Sequence, residues 1–152
     1  MSGPTPHPLG SLTDVVIDAS VGVKWFVPEV NSSDARRLLT AQFRRHVPVL
    51  FLTEVGQTLW KKVYQRGELT ADEGREILRS LQITSLQMHP VTPLLEPAFE
   101  IALATGRTLY DSVYLALSTA LGCKLVTADR RLFNALQSSA FVDDVIWVED
   151  SA

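Results

Sequence analysis

Three times along this chain a short apolar run is followed within three residues by an acid and a helical pattern. Residues 14–18 (DVVID) end in Asp18 and lead through Ala19-Ser20 into a brief helical stretch, VGVKWF, which Pro28 must terminate. Residues 48–51 (PVLF) form a second buried-type strand, with Thr53 as the cap of a helix to Arg66 and Glu54 near its start. Residues 124–127 (KLVT) form a third, and Asp129 opens the helix after it, carrying Leu132, Phe133 and Leu136 inward. The helix before that last strand is opened by Asp111, shows Tyr110, Val113, Tyr114, Leu117 and Leu121 at three-and-four spacing, and stops at Gly122. Short apolar strands alternating with helices pair in parallel through crossover connections. The expected fold is therefore α/β, a three-layer α/β/α sandwich with a small central parallel sheet.

The intervening segments fit the same plan. Asn31, Ser32 and Ser33 are N-cap candidates for a helix with Ala35, Leu38, Leu39 and Phe43 inward and Arg36, Arg37, Arg44 and Arg45 outside. On the helix after Thr53, Leu52, Val55, Leu59 and Val63 form the apolar stripe, so Glu54, Gln57 and Lys61 are expected to point away from the core it builds. Thr70 and Glu73 form a capping box for a helix burying Ile77, Leu78 and Leu81. A short strand is expected over residues 85–89, a helix over 93–106 with Leu95, Ala98, Phe99, Ala102 and Leu103 apolar, and a last strand, VIWV, after Asp143-Asp144. Residues 1–13, with three prolines and two glycines, read as a flexible leader, and 14–152 as one domain.

Bulk properties narrow the function without naming it. No apolar run approaches the roughly 18 residues of a membrane span, so no membrane association is expected and the cytoplasm is the expected location. The single cysteine, Cys123, excludes an internal disulfide and reads as a small apolar filler. A formal charge of −3 announces no nucleic-acid binder, leaving Lys24, Lys61, Lys62 and Arg66 as the local basic residues that could guide a phosphate chain. His7, His46 and His89 show no metal-ligand spacing and read as structural or solvated.

In parallel sheets ligands bind at the carboxyl ends of the strands. Asp18, Glu54 and Asp129 each follow a strand, and Asp111 opens a helix expected at the same end. Singly, each acid reads as a helix cap. Four at one sheet edge repel one another and raise each other's pKa unless a cation is present. Carboxylates suit Mg²⁺ or Mn²⁺, and an acid-only site beside no nucleophilic side chain favours hydrolysis of a phosphodiester by a metal-activated water. Ser20 and Thr127 stand where a hydroxyl reaches such an acid or caps a turn. Two other readings stay open. One is an aspartyl-phosphate transferase or receiver-like domain on Asp18, although Ser20 occupies the place of the second acid of a DxD pattern. The other is a non-enzymatic binding module whose acids only cap helices.

Three blocks together resemble the PIN-domain nucleases, and most closely the VapC-type ribonuclease toxins of prokaryotic toxin–antitoxin pairs: VVIDASVGVKWF, FLTEVGQTLWKKVYQRGELT and TLYDSVYLALSTALGCKLVTADRRL. The resemblance places metal-binding, catalytic acids at Asp18, Glu54, Asp111 and Asp129. Gln57 stands where the family often has asparagine. The resemblance implies Mg²⁺-dependent endoribonuclease activity on RNA, a homodimer, and inhibition by a cognate antitoxin that covers the acidic groove.

Overall fold

The computed structural model describes residues 12–151, so most of the expected leader, and His7 with it, lies outside the described residues. Five strands form one sheet in the order β3-β2-β1-β4-β5, every pair parallel: β1 (Thr13–Ile17), β2 (Phe43–Pro48), β3 (Gln87–His89), β4 (Lys124–Thr127) and β5 (Val145–Trp147). The chain steps outward from β1 to β2 to β3, then returns across β1 to lay down β4 and β5. The direction of winding thus reverses between β1 and β4, and the crevice at their carboxyl ends is where a ligand is expected. Asp18 follows β1 and Asp129 lies two residues past β4.

Helices α1 (Ala19–Gly22), α2 (Ser32–Arg37), α3 (Leu50–Trp60), α4 (Ala71–Ile83), α5 (Leu95–Thr105), α6 (Leu109–Leu121) and α7 (Arg130–Leu136) surround the sheet. The core runs through Val15, Val16 and Ile17 of β1, Leu125 and Val126 of β4, Phe51, Val55 and Leu59 of α3, and Leu132 and Leu136 of α7. Helix α6 is buried continuously from Ser112 to Ser118 rather than along one stripe, because it packs in the interior of the layer. Gly122 ends it at φ +66, a conformation open to glycine at no steric cost. Gly22 serves differently: a Cβ there would collide with the Phe51 ring, so its absence lets α1 close on α3 and brings the end of β1 beside the helix that carries Glu54.

Several boundaries differ from those the sequence predicts. Strand β2 is FRRHVP, not PVLF, so Phe43, Arg44 and Arg45 belong to a strand and α2 stops at Arg37. Phe43 is inward as expected, but from the sheet. Arg45 serves the turn before the strand, donating to the Leu38 and Thr40 carbonyls at 2.9 and 3.2 Å. Helix α3 begins at Leu50, and Thr53 lies inside it rather than at its cap. A π-helical turn, Lys61–Gln65, then takes the helix on, and within it Lys62 is buried while Val63 is half-buried. Leu78 on α4 and Tyr110 and Leu121 on α6 are exposed, as are Leu95, Phe99 and Leu103 on α5, where Ala98 and Ile101 face the core. The Thr70–Glu73 capping box is formed as predicted, with Glu73 N–H donating to Thr70 Oγ1 at 3.1 Å and Thr70 N–H to Glu73 Oε1 at 3.0 Å.

The histidines find a partner that linear spacing hides. Across the sheet, His46 Nε2 lies 2.8 Å from Asp14 Oδ1, and His46 Nδ1 lies 2.9 Å from His89 Nε2. The three residues tie β1, β2 and β3 together. Cys123 is half-buried against the core, and burial pushes its thiol up to about 11, consistent with an inert filler.

Candidate active site

Asp18 is nominally the N-cap of α1, yet its side chain caps nothing. Its Oδ2 accepts from two hydroxyls, Ser20 Oγ and, at 2.9 Å, Thr127 Oγ1. Both hydroxyls accept in turn from the backbone beyond β4: Ala128 N–H donates to Ser20 Oγ at 3.0 Å and Asp129 N–H to Thr127 Oγ1 at 3.0 Å. The two roles weighed for these hydroxyls, turn cap and carboxylate partner, are both realised. Asp18 N–H itself donates to the Val126 carbonyl at 3.0 Å, so the network continues the pairing of β1 with β4 past the end of the strands.

The other acids are set by their helices. Asp111 lies in the first turn of α6, where Thr108, not Asp111, is the cap and accepts from Asp111 N–H at 3.1 Å. Asp129 is a true N-cap, its Oδ1 taking Arg131 N–H at 3.0 Å and Leu132 N–H at 3.3 Å. Glu54 sits in the second turn of α3 because that helix starts earlier than predicted. Expected to point away from the core this helix builds, it nonetheless has its Oε1 buried and without a hydrogen-bond partner. The capping account therefore holds for one acid of the four.

The electrostatics show that the four share one neighbourhood. Burial pushes Asp18 up to about 6, against the pull of the Ser20 and Thr127 hydroxyls, and the charges of Asp111 and Asp129 push the same way. Burial likewise lifts Glu54 to about 7, with the charges of Asp18 and Asp111 adding to it. Asp111 is raised by burial and by Asp129, and held back by the Arg107 guanidinium, whose Nη2 donates to Asp111 Oδ2 at 3.0 Å. Tyr114, on the same helix as Asp111, is fully buried with its hydroxyl aimed at this cluster. That hydroxyl draws the Glu54 pKa down, but neither Tyr114 Oη nor Glu54 Oε1 completes a hydrogen bond of ordinary geometry. Burial, together with the neighbouring negative charge, drives the Tyr114 pKa far upward, so it stays a protonated donor.

Two of these features escape a sequence reading. Tyr114 looks like one more apolar position of α6, although its place three residues after Asp111 puts both on one face. Arg107 lies before the helix and has no periodic signal at all. Conversely, the basic residues singled out by sequence are mostly spent elsewhere. Lys24 pairs with Glu29 at 3.2 Å, buried Lys62 bridges Glu29 and Glu68 at 3.1 Å each, and Arg66 lies 3.8 Å from Glu68. Gln57 is exposed.

The donors suit a hard divalent cation: carboxylate oxygens only, three of the acids strained toward protonation, and one buried oxygen without a partner. Among the described residues, however, no three His, Cys, Asp or Glu side chains are arranged to hold one metal ion as they stand. Mg²⁺ typically keeps several waters and takes only one or two carboxylates directly, so convergence of charge matters here more than a closed cage.

A family model described as the PIN domain matches residues 15–137, the span that holds all four acids. Ribonuclease VapC3 of Pyrobaculum aerophilum is 38% identical over 120 residues, 78% of this chain and 91% of the relative. Among solved structures, that of PAE2754 from Pyrobaculum aerophilum matches with a TM-score of 0.68 at 21% identity, covering 98% of this chain and 94% of the other. A toxin–antitoxin complex from Klebsiella pneumoniae matches with a TM-score of 0.62 at 14% identity, covering 87% and 95%. The structural matches share the fold, the sequence match shares the ancestry, and the chain belongs to the PIN-domain family.

Proposed function

We propose that this protein is the ribonuclease toxin of a toxin–antitoxin pair, an Mg²⁺- or Mn²⁺-dependent endonuclease acting on RNA in the cytoplasm. The observation that carries the reading is the convergence of Asp18, Glu54, Asp111 and Asp129 at the β1/β4 crevice with three of their pKa values raised by burial and by one another. Asp18, Glu54, Asp111 and Asp129 are the residues that would hold the cation. When bound, it supplies an activated water at neutral pH and neutralises charge building on the phosphate. The protein's own part is positional: Ser20 and Thr127 aim Asp18, the start of α6 fixes Asp111, and the start of α7 fixes Asp129.

The partners follow from the same family. The named relative is a ribonuclease, which supports RNA as the substrate, and the Klebsiella pneumoniae structure is a toxin–antitoxin complex, which supports a cognate antitoxin. The exposed stack of Trp60 on Tyr64, with ring centroids 5.3 Å apart, offers apolar surface of the kind a protein partner covers. A homodimer is supported by a second exposed apolar band, Leu95, Phe99 and Leu103 of α5 with Leu109 and Tyr110 of α6. No helix among the described residues is long and apolar enough to cross a membrane.

The test is incubation of the purified chain with a panel of RNAs, with and without Mn²⁺, beside the Asp111→Asn variant. Cleavage that needs Mn²⁺ and disappears in the folded variant is the expected result. Cleavage retained by Asp111→Asn in a pure sample sinks the assignment. Failure of the folded wild type to bind Mg²⁺ or Mn²⁺ in calorimetry would favour a binding module whose acids serve stability alone.

A further inference from the structure

Arg107 is the one side chain among the described residues that forms an ion pair with any of the four acids. It sits between two helix ends that leave its backbone little freedom. Gly106, at φ +73, terminates α5, Arg107 N–H donates to Thr105 Oγ1 at 3.2 Å, and Thr108 caps α6. From there its side chain reaches forward to Asp111 and is largely shielded from solvent, 24% exposed.

A purely stabilising role explains this placement poorly. A cation just ahead of a helix N-terminus opposes the helix dipole, and an i,i+4 pair with the base on the N-terminal side is the weaker orientation. The contact itself is half-made. Nη2 and Nε form the edge of the guanidinium that grips two oxygens at once, and Asp111 takes only Nη2. Nε is buried and without a partner. A donor left in this state loses its water and gains nothing from the protein, so a shift of the side chain that brings it an acceptor is favoured. The acceptor must be an anion with at least two oxygens, small enough to enter beside the acids; a phosphate of the nucleic-acid backbone has that form.

We propose that Arg107 is a substrate-gripping residue that exchanges partners. Its Nη2 rests on Asp111 in the free protein, and the Nε–Nη2 edge transfers to a non-bridging phosphate oxygen pair of RNA when a divalent cation takes Asp111. Cation and guanidinium compete for one carboxylate, so loading the acids releases the donor that the substrate needs. No bond is made or broken in the exchange. The inference rests on the ribonuclease reading above and assigns to it a residue outside the four acids.

The competition gives a signature that a structural residue would not. Mn²⁺ affinity is measured by calorimetry, and RNA affinity by fluorescence anisotropy of a short labelled single-stranded RNA, with Ca²⁺ as the bound cation and the RNA checked for integrity. In Arg107→Gln, Mn²⁺ should bind about threefold or more tightly, because its rival is gone, while RNA binds about tenfold more weakly. In Arg107→Lys, the competing charge returns and Mn²⁺ affinity falls back to the wild-type value, but RNA stays weak without the fork. RNA affinity of Arg107→Gln within about twofold of wild type, or Mn²⁺ and RNA affinities falling together, would overturn the assignment while leaving the metal reading intact. A wild-type protein that takes up no Mn²⁺ would remove both.

Discussion

Thr127 Oγ1 donates to Asp18 Oδ2 at 2.9 Å across 109 positions of sequence, and the same oxygen accepts Asp129 N–H at 3.0 Å. One hydroxyl thus couples the end of β1 to the start of α7 and sets two of the four acids against each other. Thr127→Val keeps the shape and removes both bonds. It should lower the unfolding free energy by about 1–3 kcal/mol, as expected for a buried donor and acceptor stripped of their partner. It should also weaken Mn²⁺ binding about tenfold or more, the usual effect of losing a group that orients a ligand. Thr127→Ser should restore both. Calorimetry and thermal melts on the three proteins decide it, and a Thr127→Val protein with wild-type Mn²⁺ affinity would show that the hydroxyl serves the fold alone.

Tyr114→Phe separates fold from site in the opposite way. The Tyr114 hydroxyl is buried without a completed hydrogen bond, so removing it should leave stability unchanged or improve it by about 1 kcal/mol. The hydroxyl nonetheless draws the Glu54 pKa down. A donor aimed at a carboxylate favours the ionised form, and its loss should move the Glu54 titration to still higher pH. Carbon-13 NMR of the glutamate carboxyls in chelator-treated protein checks this. An unmoved titration would mean that Tyr114 only fills space.

Raised acids make a prediction about stability. Burial pushes Asp18 up to about 6 and Glu54 up to about 7 in the folded chain, above the ordinary 3.8 and 4.5 of the free side chains. Between about pH 4.5 and 7 the native state holds protons that the unfolded chain has released, so unfolding free energy falls as pH rises through this window and levels off above it. In chelator-treated protein the loss should be on the order of 2–3 kcal/mol, most of it from Asp18, which is almost fully buried, with less from the more accessible Glu54. Asp18→Asn should flatten the slope and melt higher than wild type at pH 8, and saturating Mg²⁺ should raise wild-type stability there by mass action. Denaturant melts across the pH range test it. Stability that rises from pH 5 to 8 without metal would contradict the raised values.

What could be read from the sequence follows from which forces are local. The Gly122 stop, the Asp129 cap and the Thr70–Glu73 box rest on contacts a few residues apart, and all three form as expected; β4 forms where its short apolar run predicts, although its pairing with β1 and β5 is long-range. The sequence points to a strand later than β2 because the polar run Arg44-Arg45-His46 interrupts FRRHVP, while the following VLF is the more hydrophobic. Pairing with β1 and β3, which the sequence does not display, decides the matter, and the same pairing creates the Asp14–His46–His89 chain. The acids themselves were visible as strand-to-helix corners. Their partners Tyr114 and Arg107 were not, since one is disguised by an apolar helix face and the other depends on where α5 ends relative to α6.

The least predictable surface from sequence is also the most testable. The sequence marks Leu95, Ala98, Phe99, Ala102 and Leu103 as the apolar positions of α5; of these the core takes Ala98, joined by Ile101, leaving Phe99 55% and Leu103 67% exposed. Together with Leu95, Leu109 and Tyr110 they make a candidate homodimer interface, in which Leu95, Phe99 and Leu109 line an open hollow with Glu96, Pro97 and Glu100. Aromatic anchors near the centre of such a patch carry most of an interface's energy. Phe99→Asp combined with Leu103→Asp places two charges where the partner's apolar surface would lie, while costing the isolated fold little because both side chains are already in solvent. The double variant should sediment as a monomer at concentrations where the wild type is dimeric, with its far-ultraviolet circular dichroism unchanged. Cleavage by the double variant then tells whether each crevice acts alone: all four acids come from one chain, so activity per site should survive the loss of the partner. A double variant that still sediments as a dimer would move the interface off this face.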